Sequence, residues 1–306
     1  MAAYTLRQLE YFLAIAEAKS ISAAAQTLHV TPTAVASALN ELERVLRTQL
    51  VVRRKAHGIT LTPTGSYLFQ RVTPLLREAD EVELAIASKG TELVGPLSVG
   101  CYSTIAPTVA PLLMEWVRRH HPRVELTVLT GSQAELPQQL LAGVLDLAIG
   151  YDIGLPDGLE SVPLYQAPPY VLLPTDHRLT DRGELSITDL VDEPMILLDL
   201  PPAAQHTLKL FSDVGEVPAI AQRVSDFELV RALVARGFGY SILIQRPAVN
   251  RSYEGLPLSV REITSPSQSG SVLMMWSPQV RLTDRARALV DFASAHANRL
   301  DPRNRG

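Results

Sequence analysis

Between residues 1 and 90 the chain sets apolar side chains at helical spacings, and the order of the elements this predicts carries information. Leu6, Leu9, Phe12, Leu13 and Ile15 predict a first helix, with Thr5 at its N-cap and Gln8 three residues on, as in a capping box. Ser22 is the expected cap of a short second helix that turns Ala24, Ala25 and Leu28 inward. After a turn at His29 and Val30, Thr31 takes an N-cap position and Pro32 the first helical position, where a missing N–H costs nothing. The third helix aligns Ala34, Val35, Ala38, Leu39 and Leu42 on or beside one stripe. The small residues Ala23 to Ala25 let the two helices pack closely. Such a helix-turn-helix offers the start of its second helix to a DNA major groove.

Two β-rich stretches follow, Leu50 to Val52 and Ile59 to Leu61, joined by a basic loop containing Gly58, which predicts a small hairpin or wing. Then Leu68, Val72, Leu75, Ala79, Val82 and Ile86 recur at spacings of 4, 3, 4, 3 and 4, a heptad seam. A long helix with one narrow apolar seam suits a dimerisation helix, or else an amphipathic helix lying on its own domain. Pro74 removes a hydrogen bond mid-helix, so a bend or local irregularity is expected near residues 70 to 74.

From Leu93 onward strand and helix patterns alternate. Strands are expected at Leu97–Gly100, Val124–Leu129 and Leu145–Ile149, with helices over Ile105–His120 and Ser132–Gly143 between them, the latter with Glu135 completing a capping box. That alternation predicts a parallel sheet with right-handed crossovers. The rhythm recurs with strands at Tyr170–Leu173, Met195–Leu198 and Tyr240–Ile244 and a helix over Asp226–Arg236. LLAGVLDLAIG and LVARGFGYSILI are alike enough to suggest two similar lobes, and a helix from Thr283 to about Asn298 ends the chain.

At 306 residues the chain is long enough for two or three domains with full cores. A net charge of −4 argues against a uniformly basic nucleic-acid binder, but the charge is uneven. Residues 1 to 90 hold ten Lys/Arg against eight Asp/Glu, and the remainder eighteen against twenty-four. No acidic residue occurs between Glu43 and Glu78, a window that contains Arg44, Arg47, Arg53, Arg54, Lys55, Arg71 and Arg77. Phosphate contact needs such a local basic surface, not a basic chain.

A single cysteine, Cys101, excludes an internal disulfide framework and a multi-Cys metal site, and burial as a small apolar residue is expected of it rather than redox chemistry. No signal-peptide pattern and no membrane-length apolar run is present, so the cytoplasm is the expected compartment and no membrane partner is expected. There is no GxxxxGK[ST], no Gly-rich dinucleotide fingerprint and no GxSxG, and His120-His121 reads as a solvated helix end rather than a metal site. No catalytic residues, cofactor or metal are expected.

Base contacts are expected from Thr31, Pro32, Thr33, Ala34, Ser37 and Asn40, and phosphate or minor-groove contacts from Arg53, Arg54 and Lys55, with His57 a solvated loop residue. In open α/β sheets ligand groups gather at strand C-termini and the helix N-termini after them. Two such turns are CYSTIAP at 101 to 107 and TGSQAE at 130 to 135. Ser103, Thr104, Ser132 and Gln133 would offer hydroxyls, an amide and backbone N–H groups to an anion, or would simply cap helices.

The segment from Leu6 through Gly65 resembles the N-terminal winged helix-turn-helix of LysR-type transcriptional regulators, through LRQLEYFLAIAEAKSISAAAQTLHVT, the ALNELE closing the recognition helix, and ITLTPTG after the wing. The resemblance extends by length and rhythm to the whole chain. It implies an α/β fold class with an N-terminal winged helix-turn-helix, a long linker helix and a C-terminal two-lobed, periplasmic-binding-protein-like effector domain. The implied divisions are a DNA-binding domain at 1–63, a linker dimerisation helix at 64–90 and an effector domain at 91–306. Within the last, lobe I would span about 93–165 and 268–300, and lobe II about 166–267. The family's effector turns map onto Ser103, Thr104, Ser132 and Gln133, with Pro202, Phe227 and Tyr240 in the corresponding segments of the opposing lobe. Arg53 matches the arginine usual after the wing's first strand. The recognition helix departs from the common pattern, which has Gln at Pro32, Pro at Thr33 and often Ser-Arg at Ala36-Ser37. Fewer bidentate base contacts are therefore available, and shape readout through the wing takes a larger share.

These readings imply a homodimer or homotetramer on an inverted-repeat site in double-stranded DNA, with RNA polymerase a further candidate partner. A small, anionic effector between the lobes would modulate promoter activity. The alternatives are an effector-insensitive DNA-binding regulator, an α/β enzyme fused to a DNA-binding head, or, against the helix-turn-helix, a solute-binding protein.

Overall fold

The computed structural model of the chain describes residues 4–54, 58–87, 92–264 and 270–305. Its head is α1 (Leu6–Ala18), α2 (Ile21–Thr27), α3 (Pro32–Leu46) and the hairpin of β1 (Val51–Arg54) and β2 (Gly58–Leu61). The predicted capping box is present: Thr5 Oγ1 accepts the Gln8 N–H at 3.2 Å, and Gln8 Oε1 accepts the Thr5 N–H at 2.8 Å. The second helix starts earlier than expected. Ser20, not Ser22, is its cap, accepting the Ala23 N–H at 3.4 Å, because the extended backbone that an N-cap needs falls at Ser20. Leu9, Phe12, Ile15, Ala24, Ala25, Val35, Leu39 and Leu42 close into one core.

Next comes α4 (Pro63–Ala87), one continuous helix of 25 residues through Pro74. The irregularity expected at residues 70 to 74 does not interrupt it. The Thr73 hydroxyl donates to the Phe69 carbonyl at 3.1 Å in the turn where proline lacks an N–H.

The first lobe contains β3 (Gly95–Tyr102), α5 (Ala106–His120), β4 (Val124–Gly131), α6 (Glu135–Leu141), β5 (Leu147–Tyr151) and β6 (Glu160–Ala167). The second contains β7 (Tyr170–Pro174), β8 (Glu184–Leu185), β9 (Met195–Leu198), α7 (Ala203–Ser212), β10 (Ile220–Val224), α8 (Phe227–Ala235), β11 (Ser241–Leu243) and β12 (Leu258–Ile263). The chain then returns to the first lobe with β13 (Gly270–Trp276), α9 (Asp284–Ala295) and α10 (Ala297–Leu300).

The first sheet has the order β4-β3-β5-β13-β6. Its β3 pairs in parallel with β4 and β5, as strand-helix alternation requires, and β13 runs antiparallel to both neighbours. The second lobe carries the order β11-β7-β12-β8 and a parallel β9–β10 pair. The repeated rhythm noted in the sequence has a structural basis. Gly143 after α6 and Gly237 after α8 adopt φ of +69° and +80°, the left-handed turn that redirects each helix into the next strand.

Candidate DNA interface and effector cleft

The recognition helix α3 separates its faces cleanly. Val35, Leu39 and Leu42 are buried, while Thr31, Pro32, Thr33, Ala34, Ser37 and Asn40 are all exposed. Ala34 therefore lies outside the apolar stripe to which its spacing assigned it. Thr31 Oγ1 accepts the Ala34 N–H at 3.2 Å, which fixes the helix start that a groove would receive. The acidic pair on this helix is spent internally. Glu43 Oε1 accepts the N–H groups of Leu50 and Val51 at 2.6 and 3.2 Å, tying α3 to the wing, and Glu41 pairs with Arg44 at 2.5 Å.

The wing is placed by backbone contacts. Ile59 N–H donates to the Lys19 carbonyl at 2.9 Å, and a Cβ on Gly58 would sit 2.7 Å from that same oxygen. Arg53 pairs with Ile59 and Arg54 with Gly58 across the hairpin, so both arginines stand at the wing tip. Lys55 and His57 lie outside the described residues.

The linker seam divides along its length. Val72 is buried in the core of the head and Leu68 packs against it, joined by Phe69 and Leu76, which the seam did not include. Leu75 and Val82 stay 46% and 55% exposed and Ala79 is half-buried. Ile86 is on the helix backbone, with its side chain outside what is described. The first half of the seam thus holds the helix to its own head, and only its later part is open to a second copy.

Below the head, α4 meets the first lobe. Arg77 Nη1 pairs with Asp146 Oδ1 at 3.0 Å, and Nη2 donates to the Val144 carbonyl at 2.7 Å. Asp146 Oδ2 also accepts the Ser98 N–H at 2.7 Å, and Pro74 packs on Gly143. This contact falls on the turn between α6 and β5, at the far end of α6 from residues 130 to 135.

Between the lobes, an outer bay is lined by Tyr102, Ser103, Gly131, Ser132, Leu200 and Pro201. An inner bay shares Tyr102 and adds Thr104, Tyr151, Leu198, Phe227 and Ile242. Ser103 and Ser132 are therefore among the residues lining the outer bay, and Thr104 and Phe227 among those lining the inner one. Three expected residues line neither bay. The Gln133 amide is spent on β5: Nε2 donates to the Tyr151 carbonyl at 2.6 Å and Oε1 accepts the Tyr151 N–H at 3.2 Å. Tyr240 is wholly buried in the second lobe, its hydroxyl donating to the Leu190 carbonyl at 3.1 Å. Pro202 caps α7, while its neighbour Pro201 faces the bay.

Sequence reasoning missed the residues that bridge the lobes. Tyr102 Oη donates to the Pro201 carbonyl at 3.2 Å across the mouth. Gln245 accepts from the Tyr165 hydroxyl at 3.2 Å and donates to Thr108 Oγ1 at 2.8 Å, while its carbonyl accepts from Tyr170 Oη at 3.0 Å. A polar Gln directly after the apolar run YSILI was the available signal. Burial raises the Tyr102 hydroxyl to about 12 and pushes those of Tyr151, Tyr165 and Tyr170 above their ordinary value, so all four are neutral donors at physiological pH. Cys101 is buried and its thiol is pushed up to about 12 by desolvation, which makes it an unreactive core residue. Among the described residues, no three His, Cys, Asp or Glu side chains cluster as metal ligands, and no helix is long and apolar enough to cross a membrane.

A winged head with a free recognition face, on a helix docked to a two-lobed domain with a cleft, defines a DNA-binding regulator with an effector domain. Comparison with known proteins agrees. Residues 6–66 match the family model of the bacterial regulatory helix-turn-helix proteins of the lysR family, and residues 90–298 match that of the LysR substrate binding domain. The chain belongs to the LysR family of transcriptional regulators. It is 31% identical over 242 residues to the HTH-type transcriptional regulator TtuA of Agrobacterium vitis, covering 78% of this chain and 79% of that one. It is 34% identical to HinK, a LysR family regulator of Pseudomonas aeruginosa whose crystal structure matches 96% of this chain and 99% of that one with a TM-score of 0.64. The fold is also shared with full-length OxyR C199D of Pseudomonas aeruginosa, at 24% identity, 94% and 97% coverage and a TM-score of 0.74.

Proposed function

We propose that two copies of this chain pair through the exposed part of the α4 seam, Leu75, Ala79 and Val82, as a homodimer that can assemble further to a tetramer. The pair presents two recognition helices to an inverted repeat in the cytoplasm, with half-sites about one helical turn or a multiple apart. Thr31, Pro32, Thr33, Ala34, Ser37 and Asn40 meet base edges, and Arg53, Arg54 and Lys55 meet phosphates or the minor groove. RNA polymerase is the downstream partner. A small molecule held by Ser103, Thr104, Ser132 and Phe227 favours one lobe arrangement, and α6 with the Arg77 contact carries that bias to the heads. Such coupling amounts to about 1–3 kcal/mol.

The observation that supports this reading best is the exposed polar face of α3 beside a wing whose arginines stand at its tip. The cleft reads as regulatory, not catalytic, because its tyrosines are neutral donors that lack the depressed acidity of a nucleophile or base. Selection of genomic fragments by the purified protein at near-physiological salt tests the proposal. Enrichment of an inverted repeat is expected, with Arg53→Ala weakening all sites and lowering the salt slope by about 1. Uniform retention of fragments, or an unchanged slope in Arg53→Ala, would refute the head and wing assignments respectively.

A further inference from the structure

Helix α4 leaves one side open between its two docked sides. Leu68, Val72 and Leu76 turn into the core of the head. Arg77 turns the other way, to Asp146 and the Val144 carbonyl of the first lobe. Between these contacts runs a third row, Tyr67, Arg71, Leu75, Glu78 and Val82, at spacings of 4, 4, 3 and 4. At about 100° of turn per residue the five fall within an arc of about 80°. All five are exposed, Tyr67 at 61%, Leu75 at 46% and Val82 at 55%.

The order of groups along this row is symmetric in size and opposite in charge about its middle. An apolar group stands at each end and one at the centre, with a cation in the first half and an anion in the second. Arg71 lies over the Tyr67 ring at 5.6 Å, and among the described residues neither Arg71 nor Glu78 has an ion-pair partner. The row therefore offers apolar surface and two opposite, unpaired charges to something outside the chain. The anion in it opposes a DNA backbone.

A reversed copy of the same helix matches every group. Antiparallel pairing about a two-fold axis between residues 74 and 75 sets Tyr67 against the partner's Val82 and Arg71 against the partner's Glu78, with Leu75 beside the partner's Pro74. Each contact then occurs twice, as a two-fold interface requires. A parallel copy would set Arg71 against Arg71 and Glu78 against Glu78, like charges at both positions.

We propose that this row of α4 receives a second copy of the chain in antiparallel orientation, in the register centred between Pro74 and Leu75, and that reciprocal Arg71–Glu78 pairs select this chain over related chains without opposite charges at those positions. The inference rests on the reading of α4 as the dimer seam and specifies its orientation, register and partner choice. Exposed ion pairs add little stability singly, but a like-charge mismatch met twice disfavours wrong partners and the wrong orientation together. The Tyr67 ring and Val82 pack one turn beyond each pair.

Cross-linking of the full-length protein with a short bismaleimide reads the register. Cys101 is buried with its thiol pushed up to about 12, so it stays inert to the reagent. Chains carrying Tyr67→Cys and Val82→Cys, mixed and allowed to exchange, are expected to join. Neither is expected to join to itself, because like positions lie about 22 Å apart along the pair. Tyr67→Cys chains that join to each other show parallel pairing and overturn the proposal. At low salt, Arg71→Glu in both mixed chains is expected to slow the joining about tenfold, and Arg71→Glu in one with Glu78→Arg in the other to restore it. A rate indifferent to these reversals also overturns the proposal. Leu75→Cys separates failure of the register from failure of the seam. If no bridge forms between positions 67 and 82 while Leu75→Cys joins to itself, the seam pairs in another register and the proposal alone fails. If Leu75→Cys also stays unjoined, α4 is not the dimer seam and the underlying reading fails with it.

Discussion

Arg77→Ala probes the polar contacts that Arg77 makes between the DNA-binding arm and the effector domain. The variant removes an ion pair of 3.0 Å to Asp146 and a hydrogen bond of 2.7 Å to the Val144 carbonyl. A freely exposed pair contributes about 0–1 kcal/mol, whereas a hydrogen bond to a charged group away from water contributes about 1.5–3 kcal/mol. Arg77 is 34% exposed and Asp146 16%, so the contact falls between these limits. Asp146 keeps the Ser98 N–H at 2.7 Å, which spares it the cost of an unpartnered buried carboxylate. The expected loss is about 1–2 kcal/mol of docking free energy, or roughly a tenfold rise in the undocked population. Hydrogen exchange on the native protein reads this directly, as faster exchange in α4 beyond Pro74 and in the turn at 143–146 with the head unchanged. A double-mutant cycle with Asp146→Ala should return a coupling of about 1 kcal/mol, reduced by salt. Basal DNA affinity should hold while the response to effector shrinks. Unchanged exchange together with zero coupling would refute Arg77 as the joint.

Leu75→Glu places a charge on the exposed part of the seam, so sedimentation should show a weakened dimer with the head still folded; an unchanged dimer would move the interface elsewhere. Gly65→Ala puts a Cβ 2.0 Å from the Leu50 carbonyl oxygen, where backbone must shift, and should cost about 3 kcal/mol in denaturant unfolding of the head. Burial raises Tyr102 to about 12 and Tyr151 and Tyr165 above their ordinary value, so folded protein retains protons that the unfolded chain releases near pH 10. Stability is therefore fully present below about pH 10 and falls as pH rises toward 12, which thermal melts paired with tyrosinate absorbance will follow. A stability profile flat across that range would contradict the burial of these hydroxyls.

Legibility along the chain tracked the range of the forces involved. Elements set by local rules were readable: the Thr5 and Thr31 caps, the buried stripe of α3, and strands such as Met195–Leu198 that the structure reproduces end for end. Helix α7 and strands β6, β10, β12 and β13 went unread. Their patterns alternate weakly, as in IAQRV, which is half-buried or exposed along its length and is held as a strand by its parallel partner β9. The heptad seam gave the correct helix but not its partners. Spacing cannot tell whether Val72 faces its own head or a second copy.

The sequence by itself determined the family, the helix-turn-helix with its wing, and the two α/β lobes, because each is written in short-range spacing, caps and turn glycines. The tertiary structure alone decided which polar groups remain available. Ser132 and Ser103 are legible as cleft residues, but only folding shows that Glu135 consumes the donors of Ser132, that the Gln133 amide is spent on β5, and that Tyr102 and Gln245 join the lobes. Hydrogen-bond partners within a buried network are chosen by geometry across 18 or more residues of chain, as between Gln133 and Tyr151, and no local pattern encodes that choice.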